Sequence, residues 1–212
     1  MPLLTEGHFC NGARMLESIH MTKRNIITIC GVLGSGKSTA AKRVAATLGY
    51  PHYSAGDFMR AMAADRGITI VELNILAEND AAIDKEIDSK QKAFMDSNDN
   101  FTIDSRIGWF LAPDSFKVFL TLDNDTAAER IFKDIQAKKS ERKEEMSETL
   151  EAVKTRLAER VASEKERYNK YYGIENYQDP KHFDLVIDSS VNDIPTVERL
   201  IIEGYKAWQA AA

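Results

Sequence analysis

Cysteine is scarce in this chain: Cys10 and Cys30 are the only two in 212 residues. Cys30 stands inside an apolar, strand-like run, so a disulfide framework is excluded and the compartment reads as reducing cytoplasm. The five prolines form no linker, and a chain of this length builds one good-sized core, not two independent domains. No apolar run approaches the roughly 18 residues that a membrane helix needs, so no membrane partner is expected. A strong charge of one sign is also missing. The formal net charge is -5 and the pI is near 5.5, which argues against nucleic acid as a partner unless the basic residues gather in one place. His8, His20, His52 and His182 show no metal-ligand spacing and read as structural or incidental. There is no internal repeat and no low-complexity tract. Residues 1–20 lack the continuous apolar core of a signal peptide, and the strand-like pattern begins only after Met21, so they read as a disordered extension, a short amphipathic helix, or an over-extended start with Met21 as the true first residue.

What is present is alternation. Asn25 to Cys30 (NIITIC) is a β-branched run, followed by a glycine turn and by a helical pattern from Ser38 to Leu48 that Gly49 ends. Pro51 to Ser54, Asn100 to Asp104, Phe116 to Leu122 and Phe183 to Ser189 are the further strand candidates, each followed by a helical segment. Strands alternating with helices predict an α/β fold, a parallel five-stranded sheet with helices on both faces, and binding at the carboxyl ends of the strands. Two stretches stand apart from this pattern. Asp57 to Asn98 is a mostly helical insertion, and Lys138 to Glu148 (KKSERKEEMSE) is a mixed-charge run that reads as a solvated flap between two helices.

Gly31 to Ser38 (GVLGSGKS) fits G-x-x-x-x-G-K-[ST] between an apolar strand and a helix, the context that confirms a phosphate loop. Glycines allow the backbone N–H groups to wrap an anion, and the helix start adds its positive field. A chance match in a chain of this size is on the order of one in a hundred, given a glycine frequency of roughly 7%. Gly31, Gly34, Ser35, Gly36, Lys37, Ser38 and Thr39 are therefore the expected ATP site. Lys37 would reach the β- and γ-phosphates and Ser38 would ligate Mg²⁺.

Asp104 ends the strand FTID, where an acidic residue commonly supports Mg²⁺; its bland reading is a helix or turn cap. Arg106, two residues on, suits bidentate capture of an acceptor phosphate, against a surface ion pair. Ser54, Gly56 and Asp57 lie past the second strand with Arg60 one helical turn on, which together with Arg106 suggests a second anion site. At about 100° per residue, Arg156, Arg160 and Arg167 fall within roughly 40° of one another on one helix. They border an apolar stripe of Leu150, Leu157, Val161 and Tyr168. Arg130 from the preceding helix joins the candidates. The competing reading is i,i+4 pairing with Glu159 and Glu164. In phosphoryl transfer the charge spreads over the moving oxygens, so positioned cations supply most of the stabilisation. A nucleotide phosphate, with its second pKa about 6, needs no catalytic base.

These motifs, with Ser105-Arg106-Ile107-Gly108-Trp109, the block Arg160 to Tyr168 (RVASEKERY) and Tyr172-Gly173-Ile174, resemble the archaeal-type cytidylate kinases of the nucleoside monophosphate kinase family, over about Met21 to Trp208. The chain differs in having Ser105 before Arg106, and Val32 and Leu33 where family loops often carry proline. The resemblance implies ATP on the loop and CMP or dCMP beside Arg60 and Arg106. It also implies Arg160 and Arg167 closing over the reacting centre with Lys37. On that reading 21–212 is a single kinase domain acting as a monomer, with 57–98 the NMP-binding insertion and 138–148 the lid. Two other readings stand beside it. One is a shikimate- or gluconate-type alcohol kinase with Asp57 as base. The other is a nucleotide-dependent switch.

Overall fold

The computed structural model describes residues 24–142 and 149–211. Five parallel strands, β1 (Ile26–Gly31), β2 (His52–Ser54), β3 (Phe101–Asp104), β4 (Phe116–Thr121) and β5 (Leu185–Asp188), form one sheet in the order β2-β3-β1-β4-β5. The all-parallel order requires crossovers, and helices supply them: α1 (Lys37–Leu48), α2 (Ala55–Asp65), α3 (Ile70–Asn79), α4 (Ala81–Ser97), α5 (Gly108–Leu111), α6 (Asn124–Arg142), α7 (Leu150–Tyr172) and α8 (Ile194–Ala210). The expected α/β fold with a parallel five-stranded sheet is the observed one.

Side chains alternate along β1 and divide the core in two. Ile26 and Cys30 face Phe101, Ile103, Phe119, Tyr168 and Tyr177 on one side of the sheet. Ile27 and Ile29 face Ala40, Val44, Val197 and Ile201 on the other. A parallel sheet covered on both faces needs such continuous apolar strands, and β1 is buried along its whole length. The insertion has a small core of its own, with Met62, Ala63, Leu73, Ile83 and Ile87 packed among α2, α3 and α4.

Strand register sets the site. Asp104 pairs across to Ile29 and to Ser54, while Gly31 pairs with Leu120 and Thr121 with Asp188. The carboxyl ends therefore line one edge of the sheet, and the loops after them share that edge. The mixed-charge run differs from the expected flap at its start. Lysine, glutamate and arginine are good helix formers, and α6 continues through Arg142; residues 143–148 lie outside the described residues, as does the expected extension over 1–20.

Candidate active site

The phosphate loop leaves β1 at Gly31 and enters α1 at Lys37. A Cβ on Gly31 would stand 2.8 Å from Ser35 Oγ and 2.9 Å from the Leu120 carbonyl, so only glycine permits this approach. Gly34 and Gly36 have φ of 81° and 80°, the left-handed region that other residues seldom occupy. Ser35 Oγ is buried without a hydrogen-bond partner among the described residues. An orphaned buried hydroxyl inside a glycine cradle suits a polar ligand that accepts from it.

Lys37 is half-buried at the head of α1. Burial and the neighbouring Arg106 guanidinium pull its pKa below the ordinary lysine value, with Asp104 opposing them. Ser38 Oγ donates to Asp104 Oδ1 at 3.1 Å, and His52 Nε2 meets Asp104 Oδ2 at 2.8 Å. Strand pairing brings three sequence-distant residues to one point. A hydroxyl beside a carboxylate is an oxygen donor set that fits Mg²⁺, which otherwise keeps waters and substrate phosphates as ligands. Among the described residues no cluster of three or more His, Cys, Asp or Glu side chains could hold a metal, and an Mg²⁺ held mainly by phosphates and water needs none.

Arg106 follows β3 and turns beneath α7. Its Nε lies 2.8 Å from Glu164 Oε1, and Arg160 Nε donates to the same oxygen at 3.0 Å. Tyr177 Oη donates to Glu164 Oε2 at 2.7 Å. Glu164 is 4% exposed. Burial alone would raise its pKa, yet Arg106, Tyr177 and Arg160 hold it below the usual carboxylate range. Two guanidinium groups thus share one buried carboxylate and leave a net positive centre that Lys37 also feels. One helical turn on, Arg167 Nη1 donates to Asp84 Oδ2 on α4 at 2.7 Å, bridging core and insertion. Asp88, one helical turn along α4 from Asp84, accepts from Tyr172 Oη at 2.9 Å and from Gln91 Nε2 at 3.2 Å.

Residues 26–191 match the cytidylate kinase-like family. The cytidylate kinase of Natronomonas pharaonis is 36% identical over 78% of this chain and 81% of its own length. That of Archaeoglobus fulgidus is 35% identical over 84% and 92%. The chain belongs to the cytidylate kinase-like family. Solved structures extend the likeness at the level of fold alone. An uncharacterised protein of Eubacterium ventriosum superposes with a TM-score of 0.61 at 19% identity, covering 85% of this chain and 98% of its own. Shikimate kinase of Bacteroides thetaiotaomicron gives 0.55 at 14%, covering 87% and 98%.

In this cytidylate kinase-like chain the sequence-predicted residues fall into three groups. Lys37, Ser38, Asp104, Arg106 and Arg160 are drawn together at the sheet edge, with Arg167 about two turns of α7 beyond Arg160. Ser54 and Asp57 form a capping box at the head of α2, Ser54 accepting from the Asp57 N–H at 3.2 Å and Asp57 accepting from the Ser54 N–H at 2.7 Å. Arg60 pairs with Asp57 on the same helix, its side chain 58% exposed, close over Gly56, where a Cβ would stand 3.3 Å from the guanidinium. Arg130 lies apart, donating to the Ser189 carbonyl at 2.8 Å beyond β5, and Thr39 is exposed on α1.

His52 takes the structural branch of its reading, fixing the second oxygen of Asp104. The arginines do not stand as bare cations along α7, because Glu164 and Asp84 neutralise them in part. The i,i+4 pairing with Glu164 that stood as the competing reading is found at Arg160, whereas Asp84 and the reach of Arg106 to Glu164 are what the expectations passed over. The detectable signal was an acid next to an apolar stripe, as at Asp84 and Asp88 beside Ile83 and Ile87. An apolar groove of about 410 Å³ also borders the loop, with Val32 and Leu33 on one side and Leu157 and Val161 of α7 on the other. Leu157 and Val161 of the α7 apolar stripe therefore line this groove, while Tyr168 closes the core.

Proposed function

We propose that this chain transfers the γ-phosphate of ATP to CMP or dCMP, working as a monomer with Mg²⁺ in the cytoplasm. The observation that carries the reading is the convergence of Lys37, Arg106 and Arg160 around buried Glu164, at the end of the sheet where the phosphate loop opens. Relatives at 35–36% identity named cytidylate kinase supply the base. No described helix is long and apolar enough to cross a membrane.

In this proposal the loop N–H groups and Lys37 hold the β- and γ-phosphates of ATP, and Arg130 flanks the nucleotide. Arg106 and Arg60 hold the acceptor phosphate from two sides. Glu164 engages both Arg106 and Arg160 through Nε, which fixes the guanidinium planes before any nucleotide arrives. Ser38 and Asp104 would hold Mg²⁺, which when bound neutralises charge on the β- and γ-oxygens. The ionised acceptor oxygen attacks γ-phosphorus in line, the bond to the β–γ bridging oxygen breaks, and ADP leaves. No base is required at the acceptor. The insertion 57–98 and the run 138–148 would close over the pair and exclude water as a rival acceptor.

Asp57 bears on the alcohol-kinase reading. Burial acts to raise its pKa, but the Ser54 hydroxyl, Arg60 and the Ser54 N–H together hold it below the usual range. A carboxylate so committed is a weak base for a hydroxyl. The decisive experiment is coupled detection of ADP formation with CMP, dCMP, UMP, AMP, GMP, shikimate and gluconate. Turnover with CMP or dCMP well above background hydrolysis is expected; no stimulation by any monophosphate overturns the proposal.

A further inference from the structure

Asp104 is the carboxylate on which the metal reading depends, and both of its oxygens are engaged. Oδ1 accepts from the Ser38 hydroxyl at 3.1 Å. Oδ2 meets His52 Nε2 at 2.8 Å, with the His52 and Asp104 side chains 13% and 8% exposed. A carboxylate only accepts, so Nε2 carries the hydrogen of that bond. Strand register pairs Ser54 with Asp104 and His52 with Thr102, which puts His52 and Asp104 on one face of the sheet. That face is covered by α1, where Thr102 Oγ1 donates to the Ala41 carbonyl at 3.2 Å and from which Ser38 arrives.

The two donors differ in freedom. A hydroxyl has one hydrogen and two lone pairs and rotates to suit, so Ser38 keeps its bond to Oδ1 while turning a lone pair to an ion. The imidazole has no such choice. Its N–H lies in the ring plane, and the ring is mostly buried on β2 at the margin of the sheet. An ion held by Ser38 therefore approaches from the Oδ1 side. Bringing Oδ2 onto the same ion turns the carboxyl group about its Cβ–Cγ bond and breaks the bond to His52. Hydrogen bonds to a carboxylate are among the strong ones, so that turn is opposed.

We propose that His52 is a positioning residue that sets the metal choice of the site: it holds Asp104 to one oxygen toward the ion, which suits Mg²⁺ and disfavours Ca²⁺. This rests on the reading that Ser38 and Asp104 hold the divalent ion, and adds what selects it. Mg²⁺ demands near-octahedral geometry at about 2.0–2.1 Å, keeps several waters and is content with one oxygen of a carboxylate. Ca²⁺ takes roughly 6–8 oxygens at longer range and gains from a carboxylate that chelates with both. A group that orients a ligand tunes the ion without touching it.

The test is calorimetric binding of a non-hydrolysable ATP analogue at constant pH, in saturating Mg²⁺ and in saturating Ca²⁺, for the parent, His52→Leu and His52→Gln. The parent is expected to bind the Mg²⁺ complex more tightly. His52→Leu frees Oδ2, so the ratio of Ca²⁺ to Mg²⁺ affinity should rise at least about fivefold, the scale of one hydrogen bond to a charged group. The Ca²⁺ affinity itself should rise, a gain that loss of structure does not produce. The His52→Gln amide N–H reaches the same oxygen and is expected to return the ratio to within about twofold of the parent. Melting curves establish that both variants are folded. A ratio unchanged in His52→Leu, a rise that His52→Gln does not reverse, or parent binding that no divalent ion strengthens overturns the inference. The readout needs no acceptor. A parent that binds the Mg²⁺ complex with the expected preference and phosphorylates no monophosphate overturns the proposed function and supports the inference.

Discussion

Arg106 and Glu164 meet at 2.8 Å under α7, with side chains 22% and 6% exposed. The carboxylate belongs to a three-donor knot with Arg160 and Tyr177. Removing one partner of such a buried pair leaves the other charge uncompensated, at a cost of about 3–5 kcal/mol. Glu164→Gln is expected to lower the melting temperature and to raise KM for CMP more than that for ATP. Glu164→Asp should recover part of both. The pH dependence has a definite sign. Because the folded pKa is depressed, the contribution is present above the unfolded value of about 4.3 and is lost as pH falls through the folded pKa. Thermal melts of parent and Glu164→Gln should converge below about pH 4; a gap unchanged down to pH 3 would refute the role of the charge.

Lys37→Ala is expected to reduce kcat by at least about 10²–10³, the scale of losing one positioned group on the transferring phosphoryl. Stability should move the other way or stay level. Lys37 is held below its ordinary pKa by burial and by Arg106, so its charge is a strain on the nucleotide-free fold. A coupled assay with parallel calorimetry separates the two effects. Turnover unchanged by the substitution would remove Lys37 from the reaction.

The phosphate loop and the five strands were legible because their signals are local. A glycine motif between a β-branched run and a helix, and strands closed by helical segments, are written within a few residues. The partners of the site were not legible. Arg167 reaches Asp84 across 83 residues of sequence and His52 reaches Asp104 across 52, and no spacing rule connects positions that only strand order and helix packing bring together. The stripe of arginines and its local partner Glu164 were visible on α7 at i,i+4 spacing, while Asp84, which holds Arg167 from another helix, was not. The composition of Lys138 to Glu148 read as a break between helices, although its lysines and glutamates favour helix as much as solvent.

Gly31→Ala tests the loop without touching a charge. The added methyl would meet Ser35 Oγ at 2.8 Å and the Leu120 carbonyl at 2.9 Å, and the second of these is backbone that cannot rotate away. Overpacking of this kind costs typically about 1–3 kcal/mol. The loop is also displaced from the phosphate path. Titration of ATP followed by calorimetry should show affinity falling at least tenfold together with a lower melting temperature. Parent-like ATP binding in Gly31→Ala would show that the loop does not need this close approach.

Asp88 gives the opposite pH signature to Glu164. Burial, with the neighbouring Asp84 adding repulsion, pushes its pKa up to about 6, although the hydrogen bond from Tyr172 opposes this. The unfolded value is about 3.9. The raised folded pKa means that its stabilising contribution is fully present below pH 3.9 and is lost as pH rises through about 6. At pH 8 the ionised, desolvated carboxylate is therefore a liability of about 2 kcal/mol, from a shift of roughly two units at 1.36 kcal/mol each, discounted for partial exposure. Asp88→Asn keeps an acceptor for Tyr172 and removes the charge. Its melting temperature is expected to exceed the parent's at pH 8 and to match it near pH 4. A variant less stable than the parent at both pH values would show that the ionised carboxylate holds α4 to α7, and that burial is outweighed by its hydrogen bonds.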